Sequence, residues 1–195
     1  PQSMAGRSAR GGRRRRAIQG GVSVVQLREK EASSRELFEL AKRVKRVTDK
    51  YYVPLIINDR LDICLAVDAA GVHLGQTDLP CSEARRILGA EKIIGVSAAT
   101  PEEAAKAQSD GADYLGVGAV FATSTKTNTR PVTAETIRAI RSAVDIPFVV
   151  IGGVNSENIS GLHGLGINGA AVISAIISQP DITAAARKMR QAAER

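Results

Sequence analysis

The sequence predicts a (β/α)8 barrel that lacks its first strand and most of its first helix. Three observations carry that reading. Seven short runs rich in Val and Ile read as parallel strands buried on both faces. A helical stretch follows each, and βα alternation implies a parallel sheet in an α/β fold. Polar residues crowd the C-terminal ends of nearly all the strands, namely Gln26, Arg28, Lys30, Asn58, Asp59, Gln76, Asp78 and Ser97. In a barrel those ends form one ring around a single active site. The first βα turn also carries no G-x-G-x-x-G, which argues against a doubly wound dinucleotide fold.

In chain order, Ala17-Ile18-Gln19-Gly20-Gly21 reads as the tail of a helix with a glycine stop. Strands are predicted at 22–27, 54–58, 71–74, 92–97, 114–118, 147–151 and 169–173. The intervening helices are predicted at 33–48, 59–67, 82–88, 101–109, 134–143 and 156–165, with a last helix at 182–193. Several starts carry capping signals: Ser33-Ser34-x-Glu36, Thr100-Pro101-Glu102-Glu103 and Asn155-Ser156-Glu157. Counting strands gives seven where a barrel wants eight, so the absent unit lies where an Arg-rich segment stands.

That segment also explains the charge. The 195 residues carry a formal +7, yet residues 1–20 hold six Arg and no acid. Without them 21 basic residues face 20 acidic ones, so the folded body is nearly neutral. A duplex-binding domain would wear its basic excess on the body. Residues 1–16 are therefore expected to be a disordered basic arm, and 17–195 a single catalytic domain. No apolar stretch approaches the ~20 residues of a membrane span, and the arm has no apolar core of a secretory signal. Cys64 and Cys81 form no C-x-x-C pattern, which points to a reducing cytoplasmic setting. With three Phe, three Tyr and no Trp, stacking platforms for single strands are scarce.

The strand ends carry the chemistry. Residues two apart in an extended chain point the same way, so Gln26, Arg28 and Lys30 project together and aim two cations at one place. An Arg fork and a Lys point charge suit a phosphate or pyrophosphate. Asp59 and Asp78 can hold Mg²⁺, which takes few protein oxygens; they serve equally well as helix caps. Thr123-Ser124-Thr125-Lys126 offers a loop of hydroxyls ending in a cation. Gly152-Gly153 and Ile173-Ser174-Ala175 resemble the phosphate site that barrels build after strands seven and eight. His73, inside an apolar strand, reads as a satisfied core histidine, and His163 reads as surface. No Ser or Cys partner suggests a hydrolase triad.

Taken together, Val25-Gln26-Leu27-Arg28-Glu29-Lys30, Ile57-Asn58-Asp59-Arg60, Gly71-Val72-His73-Leu74-Gly75-Gln76-x-Asp78, Gly95-Val96-Ser97, Thr123-Ser124-Thr125-Lys126, Gly152-Gly153-Val154 and Ser174-Ala175-Ile176 resemble, in order and spacing, the thiamine phosphate synthase family. The resemblance implies a cytoplasmic transferase that joins hydroxymethylpyrimidine pyrophosphate to thiazole phosphate and releases pyrophosphate. It implies a dissociative route through a pyrimidine carbocation. By position, Arg28, Lys30, Asn58, Ser97, Thr125 and Lys126 hold the pyrophosphate, with Arg28, Lys30, Ser97 and Lys126 catalytic. Asp59 and Asp78 hold Mg²⁺, and Gln26 meets the pyrimidine. Thr123, Gly153, Ile173 and Ser174 meet the thiazole and its phosphate. Partners are then small phosphorylated molecules, with no nucleic acid or membrane; a homodimer would cover an exposed edge. Ala119 and Ala122 replace prolines common in the family, which loosens that loop. The alternatives are a thiazole tautomerase, which needs no pyrophosphate and Mg²⁺ set, and a non-catalytic phosphate-ligand binder or regulator on the same scaffold.

Overall fold

The computed structural model describes residues 4–121 and 131–194. Its elements run α1 (Met4–Gln19), β1 (Val25–Leu27), α2 (Ser34–Lys50), β2 (Leu55–Asn58), α3 (Leu61–Ala66), β3 (Gly71–Leu74), α4 (Cys81–Leu88), β4 (Ile93–Ala98) and α5 (Pro101–Ser109). They continue with β5 (Tyr114–Gly118), α6 (Ala134–Ala143), β6 (Phe148–Ile151), a 3-10 turn (Ile159–Leu162), β7 (Gly169–Ala171), α7 (Ser174–Ile177) and α8 (Ile182–Ala193). Strand order in the sheet is chain order. The chain forms two compact units, one of Pro1–Val72 with Ile173–Arg190, the other of His73–Val172 with Gln191–Arg195.

In the first unit β1 and β2 pair in parallel, Val25 opposite Leu55 and Leu27 opposite Ile57. Leu27 of β1 and Leu55, Ile56 and Ile57 of β2 are essentially inaccessible, so β2 is buried on both faces. Helix α2 begins because Ser33 and Glu36 form a reciprocal capping box, hydroxyl to the Glu36 N–H and carboxylate to the Ser33 N–H. It buries Leu37, Leu40, Ala41, Val44 and Thr48, one apolar stripe at helical spacing. Thr48 is satisfied inside that stripe by donating to the Lys45 carbonyl.

Helix α1 precedes β1. The Arg-rich stretch is helical, from Met4 to Gln19. Arg and Ala are strong helix formers, and the end of α1 is anchored by packing. Ala17 and Ile18 are buried. At Gly20, an added Cβ would lie 2.5 Å from both the Ala186 Cβ and the Thr183 carbonyl oxygen of α8. Only glycine admits that approach.

The second unit pairs β4, β5, β6 and β7 in parallel succession. Ile94, Leu115, Val117, Ile137, Ile140, Phe148 and Val150 make its core, each contributing about 1.5–3 kcal/mol by leaving water. Helices α5 and α6 start where Thr100 and Thr133 accept the N–H groups of Glu103 and Thr136. Arg85 of α4 binds the Gly111 and Lys92 carbonyls and the Asp113 carboxylate, tying the α4–β4 and α5–β5 connections together.

The helix expected at 156–165 is corrected: only the 3-10 turn forms there. Its start signal is real, since the Asn155 side chain accepts from the N–H groups of Glu157 and Asn158. Gly161, Gly164 and Gly166 then fail to propagate a helix.

Candidate active site

In the first unit, β1 and β2 deliver polar residues at their C-terminal ends. Gln26 is exposed between buried Val25 and Leu27, Arg28 is half-buried, and Lys30 is exposed. At the end of β2 the Arg60 N–H donates to the Asn58 carbonyl at 2.8 Å, and Asp59 between them sits at φ 63°. A bond from residue i+2 back to i around a positive φ is the pattern of a γ-turn, a rare and strained conformation. The carboxylate that this turn carries is half-buried. Lys30 Nζ lies 4.0 Å from Asp59 Oδ2, so predicted cation and predicted metal ligand share one locale.

Arg60 is held away from that locale. Its guanidinium donates to both oxygens of Asp62 and to the Ser34 hydroxyl. The hydrogen bond to Arg60 holds the Asp62 carboxyl below its usual range. The same unit carries Ile173 and Ser174, both exposed at the start of α7, a four-residue helix that the sequence reading did not foresee.

In the second unit, Asp78 folds back on the end of β3. Its Oδ2 accepts the Gly75 N–H at 2.7 Å, and a Cβ at Gly75 would crowd that oxygen at 3.0 Å. Gln76 Nε2 donates to the Ser97 carbonyl at 2.6 Å. Ser97 stands half-buried near the end of β4. Gly152 and Gly153 after β6 take φ 99° and 64°, which glycine alone adopts freely. Asn158 Nδ2 fixes that turn by donating to the Gly153 carbonyl. Thr123, Thr125 and Lys126 lie outside the described residues.

A side chain without a functional assignment in the sequence reading joins this set. His73 is buried and satisfied, as read, but its partners are not ordinary core atoms. Nδ1 lies 3.0 Å from the Tyr114 hydroxyl and Nε2 lies 3.0 Å from Ser97 Oγ. The sequence did hold a signal, because glycine inside a strand marks close approach. A Cβ at Gly95 would meet the Tyr114 ring at 2.1 Å, and one at Gly116 would meet His73 Cε1 at 2.9 Å.

The donor chemistry admits magnesium. Among the described residues no three His, Cys, Asp or Glu side chains cluster as a metal cage. Both cysteines are buried free thiols, and burial pushes the Cys81 thiol up, away from the thiolate a soft metal needs. Magnesium instead uses one or two carboxylates and completes its shell with water and substrate phosphate. Asp59 in the first unit and Asp78 in the second are each a carboxylate at a strand end, of the type such a metal takes.

A family model described as thiamine monophosphate synthase matches residues 10–176. The thiamine-phosphate synthase of Ruminiclostridium cellulolyticum is 58% identical over 173 residues, covering 89% of this chain and 82% of that protein. The thiamine-phosphate synthase of Clostridium tetani is 53% identical, covering 89% of this chain and 83% of its own. Among solved structures, thiamine phosphate pyrophosphorylase from Pyrococcus furiosus superposes with a TM-score of 0.88 at 39% identity, covering 94% of this chain and 89% of that one. A 3-hexulose-6-phosphate synthase, at 17% identity and a TM-score of 0.69, shares the fold alone.

Proposed function

From a chain that belongs to the thiamine monophosphate synthase family, and so to its transferases, we infer the following reaction. It is the magnesium-dependent condensation of hydroxymethylpyrimidine pyrophosphate with thiazole phosphate. The observation that carries this reading is the 58% identity, over 89% of this chain, to a protein named thiamine-phosphate synthase. We take residues 17–195 as one catalytic domain working on both substrates.

The bond from the pyrimidine methylene to the pyrophosphate oxygen breaks first, and pyrophosphate leaves with the electron pair. The thiazole nitrogen then gives its lone pair to the pyrimidine carbocation. No proton has to move, so no general base is required. The charge that accumulates is on the leaving group, where preorganised donors act most strongly. Arg28, Lys30, Asn58, Ser97, Thr125 and Lys126 supply those donors. Asp59 and Asp78 would hold magnesium, which would supply Lewis-acid stabilisation to the departing pyrophosphate. Gln26 orients the pyrimidine; Thr123, Gly153, Ile173 and Ser174 hold the thiazole and its phosphate. The strained turn at Asp59 supports this assignment, since such strain collects where a side chain must be aimed.

Among the described residues no helix is long and apolar enough to cross a membrane. We place the reaction in the cytoplasm, with a homodimer as the assembly that covers the edge strand β1. The test mixes the purified chain with both substrates and Mg²⁺ and reads thiamine phosphate as its fluorescent oxidation product. Product that disappears with EDTA is expected. Pyrophosphate binding without product would mean a non-catalytic binder. Lys126→Ala should abolish most turnover while the melting temperature holds; equal loss of both would remove its catalytic role.

A further inference from the structure

The registers of β4 and β5 place Gly95 opposite Tyr114 and Ser97 opposite Gly116. Residues two apart share a face, so this face alternates small and large side chains: the Tyr114 ring fills the space over Gly95. The His73 ring from β3 fills the space over Gly116, with the two rings 5.5 Å apart and tilted by 42°. Neither glycine could carry a Cβ without displacing a ring. The arrangement is built around the two hydrogen bonds Tyr114–His73 and His73–Ser97.

A neutral imidazole has one hydrogen, so this relay has a direction. With the Tyr114 hydroxyl donating to Nδ1, the ring hydrogen sits on Nε2 and donates to Ser97 Oγ. The Ser97 hydrogen is then released to donate to a ligand oxygen. In the opposite direction Ser97 donates into Nε2, and its hydrogen is spent within the protein. An anion beside Ser97 selects the first arrangement.

We infer that His73, backed by Tyr114, is a positioning residue that holds the Ser97 hydroxyl as a donor to the pyrophosphate group. This rests on the reading of Ser97 as a pyrophosphate ligand, and the test separates the two. Steady-state turnover and inorganic pyrophosphate affinity by calorimetry are measured with Mg²⁺ for the wild type, His73→Leu, His73→Gln, Tyr114→Phe and Ser97→Ala. The double variant of His73→Leu with Ser97→Ala completes the set.

His73→Leu should lower kcat about 10–100-fold, the range of supporting-residue losses, and weaken pyrophosphate about ten-fold. KM for thiazole phosphate should stay within about two-fold, because His73 acts on the other substrate. His73→Gln keeps an amide N–H at the end of its side chain and should recover part of both losses. Once Ser97 is Ala, His73→Leu should cost less than about three-fold more. Full additivity in that double variant, or Gln no better than Leu at equal melting temperature, overturns the inference. Should His73→Leu fail to fold, Tyr114→Phe keeps the ring over Gly95 and removes only the hydroxyl. It should lower kcat about three- to ten-fold with the melt unchanged, and unaltered kinetics overturn the proposal. A wild type that binds pyrophosphate yet yields no product would sink the functional reading, while the binding cycle would still decide the role of His73.

Discussion

The exit of β2 and the shared face of β4 and β5 bring polar groups to bear in opposite ways. At Asp59 the backbone is strained and the side chain is half-exposed, with Lys30 near the limit of ion-pair distance. At His73 the polar atoms are packed among rings, with both ring nitrogens at hydrogen-bond distance from a hydroxyl. A charged ligand set needs open coordination positions, so it gains little from packing. A neutral relay needs fixed geometry, so it must be enclosed. Function should therefore separate from stability at Asp59 and follow stability at Gly95.

The sharpest break is Asp59→Asn. Asn tolerates the left-handed backbone as well as Asp does, so the turn should persist and the melting temperature hold. Turnover should fall about a hundred-fold or more, the order seen when a preorganised electrostatic group is lost. A variant with near-normal turnover would remove Asp59 from the metal site. Next comes Gly95→Ala, whose methyl must displace the Tyr114 ring. We expect a loss of about 1–3 kcal/mol in denaturant unfolding, the usual cost of overpacking, together with slower turnover. An unchanged unfolding midpoint would show that the ring moves aside freely.

The smallest effect belongs to the Arg60–Asp62 pair beside the first region. Its partners are well exposed, so it should contribute below about 0.5 kcal/mol. The Asp62 carboxyl is held below its ordinary 3.8. Its stabilisation is thus complete above that value and lost as pH falls through the lower, folded-state one. Asp62→Asn should differ slightly from the wild type at neutral pH, and the gap should close in acid. A gap that widened in acid would reverse the sign of this contribution.

The parts of the fold legible in the sequence are those whose signals are local. Helices α5, α6 and α8 run as read because Thr100-Pro101, Thr133 and the apolar spacing of Ile182, Ala186 and Met189 act within a few residues. Strands β3 and β5 also run as read, marked by continuous apolar runs. What anchors the end of α1, at Thr183 and Ala186, is far along the chain and leaves no local signal beside its six arginines. The site divides along the same line. Cations and carboxylates at strand ends can be picked out one by one, as Arg28, Lys30, Asp59 and Asp78 were. The relay could not, because Ser97 and Tyr114 lie 24 and 41 residues from His73. Only strand pairing makes them neighbours.

The clasp at Gly20 sets the order in which the chain can be completed during synthesis. Thr183 Oγ1 donates to the Arg16 carbonyl across 167 residues, and Arg190 reaches the Gly21 carbonyl across 169. Closing so long a loop costs about 2.5 kcal/mol more than closing one of ten residues, and neither bond can form before α8 has left the ribosome. The last strand ends at Ala171, whereas the clasp on α1 waits for Arg190. The end of α1 is translated first, yet it is without its two bonds from α8 until nearly the whole chain has been made.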